Sequence, residues 1–296
     1  MKRCRQVSHR CISKSVDEGI DEMVRFERTK NNHPAKEEDR NVPDGNKSII
    51  DSPYSKGIYF SDPHRHSEDS QFKAKCFLQV FVPLAKKRGW EISSYVDVGC
   101  GSGQLVRLVA DGLKDAGFGI AAVKGYDVSP HVSELRAESV EYVHGDFCST
   151  NEQVDLVTLF DVLEHVACPV EFLKSVASRA SMIGLNIPLD NTLNNALRDK
   201  FRYLLDQPGH LLFLDAVNAL NLCSLAGLRV VAYEYAFGFR APSGHRSLLA
   251  KVAFPARMLL SKISPWLLSK TIGGASLLVI ARTPENAQRL NAVNCT

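Results

Sequence analysis

The sequence predicts an α/β protein with a doubly wound sheet of about seven strands, most of them parallel. Short apolar segments alternate with amphipathic helical patterns over residues 95–285, and a glycine-rich turn directly follows the first apolar segment. Strands that are separated by helices need crossover connections, so they pair in parallel and the helices cover both faces of the sheet.

The spacing of apolar residues places the individual elements. Helical periodicity predicts helices at Phe72–Arg88, Gln104–Ala116, Pro130–Ala137, Pro169–Ala177 and Leu214–Ala226. Continuous apolar runs predict strands at Tyr95–Val98, Val123–Tyr126, Val140–Val143, Val154–Phe160, Ala180–Ile187, Arg229–Tyr235 and Ala275–Ala281.

The domain organisation follows from changes in composition. Residues 1–50 are polar and carry mixed charges, so we expect a tail or linker that lacks the apolar surface needed to order it. Residues 51–94 are predicted to form an N-terminal helical or lid segment, and 95–285 the main domain. A basic helical insertion is predicted at about 239–273, and 286–296 form a C-terminal tail.

The overall composition excludes several classes of protein. Hydrophobic residues make up 45% and charged residues 23%, which is typical of a globular domain. A net charge of +3 does not by itself indicate a nucleic-acid partner. The eight cysteines show no Cys-x-x-Cys spacing, which favours buried free thiols and a cytoplasmic location. No apolar run is long enough to cross a membrane.

The turn after the first predicted strand has the character of a ligand-binding loop. Asp97 precedes the turn Gly99-Cys100-Gly101-Ser102-Gly103, and a helix begins at Gln104. Glycines let a ligand approach the backbone, and the free N–H groups of the helix start favour an anionic group. A dinucleotide fingerprint needs glycine where Gln104 stands, so the spacing argues against NAD. The alternative is a tight strand-to-helix connection without a ligand.

Two further acids follow predicted strands. Asp127, followed by Val128, ends the second strand, where a carboxylate can accept both hydroxyl protons of a ribose. Asp146 and Phe147 follow the third strand, where an acid can read an amino group and an aromatic ring can pack on a base. The alternative for either acid is a helix N-cap.

Two later segments complete a resemblance to a known family. Phe160-Asp161-Val162-Leu163-Glu164-His165-Val166 follows the fourth strand, and Pro208-Gly209-His210-Leu211 precedes an amphipathic helix. With the motifs above, they make the chain resemble the Rossmann-like class I S-adenosylmethionine-dependent methyltransferases over roughly Phe72 to Arg282. Within the class, these two segments resemble those of the subgroup that includes ubiquinone-biosynthesis O-methyltransferases.

The resemblance implies S-adenosylmethionine as the cofactor and assigns residues to its parts. The residues that it implies for cofactor binding are Asp97, Gly99, Cys100, Gly101, Gly103, Gln104, Asp127, Val128, Asp146, Phe147, Phe160 and Asp161. Asp97 and the glycine turn would hold the methionine end, Asp127 the ribose, and Asp146 with Phe147 the adenine. Phe160 and Asp161 would lie close to the reacting methyl group.

We expect in-line methyl transfer to a small-molecule acceptor at a hydroxyl oxygen, without a metal. A hydroxyl acceptor benefits from a general base, for which His165 and His210 are the candidates. Each also has a structural interpretation, His165 as a helix-start residue and His210 as part of a capping turn. Tyr54, Tyr59 and Asn186 are candidates for contact with the acceptor. Methylation of nitrogen or carbon, and a catalytically silent binding protein, remain the alternative functions.

The segment around residues 246–270 suggests a second type of partner. It combines basic residues with apolar ones and a tryptophan and has no acid, a pattern found in helices at membrane interfaces. Peripheral membrane contact would favour a lipid-linked acceptor, although a saccharide is also open. The alternative is that the apolar side covers the substrate pocket. Asn186-Ile187-Pro188-Leu189 lacks the second proline and the aromatic residue of amino-methylating nucleic-acid enzymes, so no nucleic-acid partner is predicted.

Overall fold

A computed structural model describes residues 67–241 and 248–284. All of them belong to one of the two units into which the chain divides, Ile49–Thr296. The predicted tails at 1–50 and 286–296, and the acceptor candidates Tyr54 and Tyr59, lie outside the described residues. Their assignments stay predictions.

The described strands form a single mixed sheet. They are β1 (Ser94–Val98), β2 (Ala122–Asp127), β3 (Glu141–His144), β4 (Val154–Phe160), β5 (Ala180–Pro188), β6 (Arg229–Phe237) and β7 (Ala275–Arg282). Their order across the sheet is β3-β2-β1-β4-β5-β7-β6. The first five pair in parallel, whereas β7 is antiparallel to both β5 and β6. The predicted Rossmann-like, doubly wound and mostly parallel sheet is therefore confirmed.

The longer connections between strands are helical. The helices are α1 (Ser67–Arg88), α2 (Gln104–Asp115), α3 (Pro169–Ala177), α4 (Leu193–Leu197), α5 (Lys200–Asp206), α6 (Ala216–Leu225), α7 (Leu248–Ile263) and α8 (Pro265–Lys270). The helix predicted over Pro130–Ala137 is instead a 3-10 turn, Pro130–Glu134. It ends early because Leu135 is extended and Ala137 pairs with Val140 in a bridge that leads into β3.

Apolar residues cover the sheet on both faces, because successive strand residues point to opposite sides. Val96 and Val98 of β1 belong to a core cluster that includes residues of α3 and α6. Tyr95, which directly precedes Val96, points to the other face and belongs to a second cluster that includes residues of α1 and α2. Full burial of one large apolar side chain stabilises a fold by roughly 1.5–3 kcal/mol, so the two clusters fix the helices on the sheet.

Two further predictions concern the environment of the protein. Five cysteines within the described ranges are free thiols, but of these only Cys100 and Cys223 are buried, and Cys168 is exposed, so the expectation of buried thiols holds for two of the five. Within the same ranges, the helices are too short or too polar to pass through a bilayer. The cytoplasmic location stays a prediction.

Candidate cofactor and acceptor site

The glycine turn between β1 and α2 requires glycine for two reasons. Gly99, Gly101 and Gly103 have φ angles of 78°, 52° and 72°, a region that residues with a Cβ rarely adopt. A Cβ on Gly99 would also lie 2.5 Å from Cγ2 of Val162, which directly follows Asp161 in the chain. The turn therefore brings the end of β1 against the segment after β4, at the switch point of the sheet.

Tyr142 of β3 supports the far end of the same turn. Its hydroxyl donates a hydrogen bond to the Gly103 carbonyl at 3.0 Å, and a Cβ on Gly103 would lie 2.6 Å from the ring. No side chain caps α2 at Gly103, so the first N–H groups of this helix are left for a ligand. The role of Tyr142 was not predictable from its surroundings in the chain, because β3 is a short strand with no distinctive motif.

Asp127 binds two backbone segments at the end of β2. One carboxylate oxygen accepts from the Gly101 N–H and the other from the Ser129 N–H, each at 2.8 Å. Burial raises the pKa of this carboxyl group, although the two backbone hydrogen bonds partly offset the effect. Each oxygen keeps a second lone pair with which to accept a ligand hydroxyl. Val128 beside it is exposed, whereas the thiol of Cys100 is buried.

Asp97 carries a buried oxygen that lacks a partner. Its carboxyl group is 1% exposed, and Oδ1 accepts a hydrogen bond from the Thr158 hydroxyl. Among the described residues, Oδ2 has no hydrogen-bond partner. Burial raises the pKa of Asp97 to about 7, and the hydrogen bond from Thr158 reduces that shift. A buried carboxylate oxygen without a partner is costly, so this atom suits a cationic or hydrogen-bond-donating ligand group.

The third acid has a different environment. Asp146 is exposed and caps the 3-10 turn Phe147–Ser149, accepting from the Cys148 N–H at 2.8 Å. The ring of Phe147 is fully buried and packs edge-on against Tyr126 at 5.3 Å. The structure therefore places the Phe147 ring in the core and not on the ligand side of the turn. Adenine binding by this pair stays a prediction that depends on Asp146 and the turn backbone.

Asp161 joins three elements around the end of β4. Its backbone is left-handed, with φ at 55°, which is unusual for a residue other than glycine. One carboxylate oxygen forms an ion pair with Lys73 of α1, and the other accepts from the Asn186 amide at 2.7 Å. Burial disfavours the charge on Lys73, but the adjacent Asp161 outweighs it and raises the pKa of the ammonium group. Phe160, the preceding residue, is buried against Phe77 of α1.

The two predicted histidines lie side by side, although 45 positions of sequence separate them. Their rings meet edge-to-face with centroids 4.9 Å apart. His165 Nδ1 lies 3.0 Å from the Gly209 carbonyl, and His210 Nδ1 lies 2.7 Å from the Asp190 carboxylate. These contacts fix the rings through Nδ1 and direct each Nε2 towards Glu164.

Glu164 is the buried centre of this arrangement, which we call the histidine cluster (Glu164, His165 and His210). Its Oε1 lies 3.8 Å from His165 Nε2 and 3.9 Å from His210 Nε2. The side chain is 1% exposed, and neither oxygen has a hydrogen-bond partner within the described ranges. Burial, reinforced by the negative charge of Asp161, raises the pKa of Glu164 well above its usual range. One atom from each member lies within 4.8 Å of the others, so the cluster can hold a metal ion.

The structure brings together two groups of residues that the sequence singled out. Asp97, the glycine turn and Asp127 surround the start of α2, and Asn186 meets Asp161 beside the histidine cluster. No pattern in the sequence pointed to Lys73, Tyr142 or Asp190. The first two sit in ordinary helix and strand patterns, and Asp190 follows β5 without a recognisable motif.

Comparisons with known proteins test the family that the sequence resembles. A family model described as "Methyltransferase domain" matches residues 64–233. The mitochondrial ubiquinone biosynthesis O-methyltransferase of Arabidopsis thaliana is 28% identical over 117 residues, which cover 35% of this chain and 33% of that protein. The match thus spans only a third of that relative's length.

Two solved structures are similar in fold. One is a complex between the Haloferax volcanii Trm112 methyltransferase activator and a methyltransferase, with a TM-score of 0.50 at 18% identity, covering 79% of this chain and 96% of that one. The other is the N-methyltransferase NodS of Bradyrhizobium japonicum with bound S-adenosyl-L-homocysteine, with a TM-score of 0.47 at 13% identity, covering 79% and 100%.

The match to the family model assigns the chain to a protein family. It includes every described strand from β1 to β5 and the glycine turn, and it extends over more than half of the 296 residues. The chain therefore belongs to the methyltransferase domain family and is a class I S-adenosylmethionine-dependent methyltransferase.

Proposed function

We propose that this methyltransferase acts on a hydroxyl oxygen of a small-molecule acceptor and that His210 accepts the hydroxyl proton. The observation that carries the proposal is the contact of 2.7 Å between His210 Nδ1 and Asp190. A neutral imidazole that donates from Nδ1 to a carboxylate keeps its lone pair on Nε2, which is the form a general base needs. His165 and Glu164 complete the surroundings of that nitrogen.

We assign the cofactor to the edge of the sheet where β1, β2 and β4 end. Asp97 and the glycine turn are suited to the methionine end, because Asp97 Oδ2 lacks a partner and the turn leaves room for a ligand at its backbone. Asp127 would accept from the ribose hydroxyls through its remaining lone pairs. Phe160 and Asp161 would border the methyl group, and Asp161 is held there by Lys73 and Asn186.

The proposed placement of Asp97 makes cofactor binding depend on pH. Asp97 titrates at about 7 in the free protein, and only its ionised form would bind the ammonium group of the methionine end. We therefore expect cofactor affinity to increase as the pH rises through 7. At about pH 6 binding should release a proton, and at about pH 8 it should not. Calorimetry in buffers of different ionisation enthalpy measures this release, and Asp97→Asn should abolish it.

In the proposed reaction, the bound cofactor supplies a methyl group that its sulfonium has already activated. The residues of the chain then have to align the acceptor and receive its proton. His210 Nε2 would accept the hydroxyl proton of the acceptor as its oxygen takes up the methyl group, and Asp190 would stabilise the resulting imidazolium through Nδ1. The proton leaves to solvent after transfer. Lys73 and Asn186 hold the Asp161 side chain in one position beside the proposed methyl group.

A second role for the histidine cluster is favoured by the two unpartnered oxygens of Glu164. Both histidines are held through Nδ1, as histidine ligands of metal ions usually are, and one ligand atom from each member of the cluster lies within 4.8 Å of the others, which is compact enough for a divalent cation. A cation there would keep Glu164 ionised and would lower the pKa of a coordinated hydroxyl group. The sequence predicts a site without a metal ion. That stays a prediction, and a bound cation is the alternative to it.

One experiment addresses both roles. Phenols, sugars, lipid-linked alcohols and amines are screened for a methylated product by mass spectrometry, with protein dialysed against EDTA and with Mg²⁺ or Zn²⁺ added back. We expect an O-methylated product whose rate of formation does not depend on the metal, because Asp190 already orients the base. Activity that is lost with EDTA and restored by a metal would assign the cluster to a cation. Products methylated only on nitrogen or carbon would contradict hydroxyl transfer, and the absence of any product would favour the silent binding protein.

A further inference from the structure

One side of the basic insertion exposes apolar side chains at helical spacing. Val252, Leu259 and Ile263 of α7 are 73%, 61% and 70% exposed, and Trp266 of α8 is 53% exposed. With the exposed Ala256, they follow one another at intervals of three or four residues, which places those of α7 on one side of the helix. We call these residues the exposed stripe (Val252, Ala256, Leu259, Ile263 and Trp266).

The other side of α7 is packed, which fixes the direction in which the exposed stripe points. Phe254 meets Phe239 edge-on at 6.1 Å, and Leu260 packs against the core cluster. Ser261 is buried and accepts a hydrogen bond of 2.7 Å from Arg240. The exposed stripe is therefore not an apolar side that α7 turns towards the sheet, and within the described residues nothing covers it.

The charge of the insertion indicates what could cover the stripe. No aspartate or glutamate occurs between Tyr235 and Pro284, whereas seven lysines and arginines do. Lys270 is paired with Asp215 and Arg282 belongs to β7, so the positive charge of α7 and α8 comes from the basic residues of α7. Lys262, next to Ile263, is exposed. Two copies of this chain that met through the stripe would bring their basic residues together without acids to pair with them. An anionic lipid surface would instead attract the cations and accept the apolar side chains.

We propose that α7 and α8 dock on an anionic lipid bilayer, with the exposed stripe at the boundary between headgroups and acyl chains. An indole ring at one end is suited to that boundary, because it is apolar with one hydrogen-bond donor. The docking surface includes described residues only and does not depend on which atom is methylated.

Hydrogen bonds connect the end of α8 to the residues that are proposed to contact the acceptor. The Thr271 carbonyl, just after α8, accepts from the Asn194 N–H at 2.9 Å, and the neighbouring Asn195 amide donates to the Asp190 carbonyl at 2.8 Å. Asp190 in turn holds His210. If the proposed function is right, a docked molecule would have its acceptor side near the bilayer, which favours an amphiphilic acceptor. This extension rests on the proposed function, whereas the docking itself does not.

The test uses the full chain and sedimentation with vesicles. We expect binding to vesicles that contain phosphatidylglycerol beside phosphatidylcholine, weaker binding to phosphatidylcholine alone, and loss of binding at high salt. The double substitution Leu259→Gln with Ile263→Gln should lower vesicle affinity by at least about tenfold, since each side chain loses its transfer into the apolar region. The matched control is Leu225→Gln, which alters a comparably exposed leucine on α6.

A second measurement does not depend on that double variant. Trp266 is one of two tryptophans in the chain, so its transfer to a lipid interface should shift the protein fluorescence to shorter wavelength, and Trp266→Phe should abolish the shift.

Failure of the unmodified chain to bind anionic vesicles overturns the proposal. Equal binding by Leu259→Gln with Ile263→Gln and by Leu225→Gln does so as well. A dimer in solution that only the double substitution dissociates, without vesicle binding, would assign the stripe to a second copy instead. Vesicle binding is measured without substrate, so inactive protein does not affect the result.

Discussion

Asp127→Asn should weaken the binding of S-adenosylmethionine by about a hundredfold or more, because hydrogen bonds to a charged acceptor contribute roughly 1.5–3 kcal/mol each. The asparagine keeps the size of the side chain but loses the charge and one acceptor oxygen. It cannot accept from both the Gly101 and the Ser129 N–H groups while also binding two ribose hydroxyls. Asp127→Ala should bind more weakly still, because the glycine turn then loses its anchor.

The matched control is Asp155→Asn. Asp155 also accepts hydrogen bonds from two backbone N–H groups, those of Ser93 and Ser94, but near the start of β4 and β1, at the opposite edge of the sheet. It should lower thermal stability without changing cofactor affinity. Calorimetry compares the three proteins after circular dichroism has shown that each is folded. Cofactor binding by Asp127→Asn equal to that of the unmodified chain would rule out the proposed cofactor placement.

His210→Ala should lower kcat by about 10²- to 10⁴-fold, the usual contribution of a positioned general base, with little change in cofactor affinity. Asp190→Asn should have a smaller effect, because the base remains but its tautomer and orientation are less well fixed. Added imidazole should partly restore His210→Ala and should leave Asp190→Asn unchanged. This difference separates the loss of a base from a general disturbance of the site.

His165→Gln is the comparison for that experiment. Its ring is held by the Gly209 carbonyl and lies beside His210. If the role of His165 is structural, the substitution should lower thermal stability and should not respond to imidazole. A His210→Ala variant that keeps the kcat of the unmodified chain would contradict the proposed base. Loss of activity in His165→Gln with rescue by imidazole would transfer that role to His165.

The sequence predicted the fold accurately where a single apolar pattern corresponds to a single helix or strand. The predicted bounds of β4 and α3 agree with the structure, since β4 is an uninterrupted apolar run and α3 begins at a proline. It could not predict that β7 lies between β5 and β6, because an alternation of strands and helices does not indicate where a late strand inserts. The helix predicted at Pro130 was wrong in type and length, because the chain turns early into β3.

Site residues could be predicted from the sequence where they directly follow a predicted strand. Asp97 and Asp127 stand at the ends of strands, and parallel strands place such residues at one edge of the sheet. Lys73 was not predictable, since its partner Asp161 is 88 residues away and a lysine in an amphipathic helix is ordinarily solvated. The unpartnered carboxylate of Glu164 is likewise a result of packing, which brings His210 beside the turn that contains Glu164 and His165.

The position of β7 has a consequence for synthesis on the ribosome. Among the described strands, β6 pairs only with β7, and β5 is completed on its outer side only by β7. While the chain emerges, β5 therefore presents an open edge and β6 has no partner until the residues up to Arg282 have left the exit tunnel. Open edges of this kind promote association between chains. Nascent chains stalled between Phe237 and Ala275 should accordingly need chaperones more than the finished protein does.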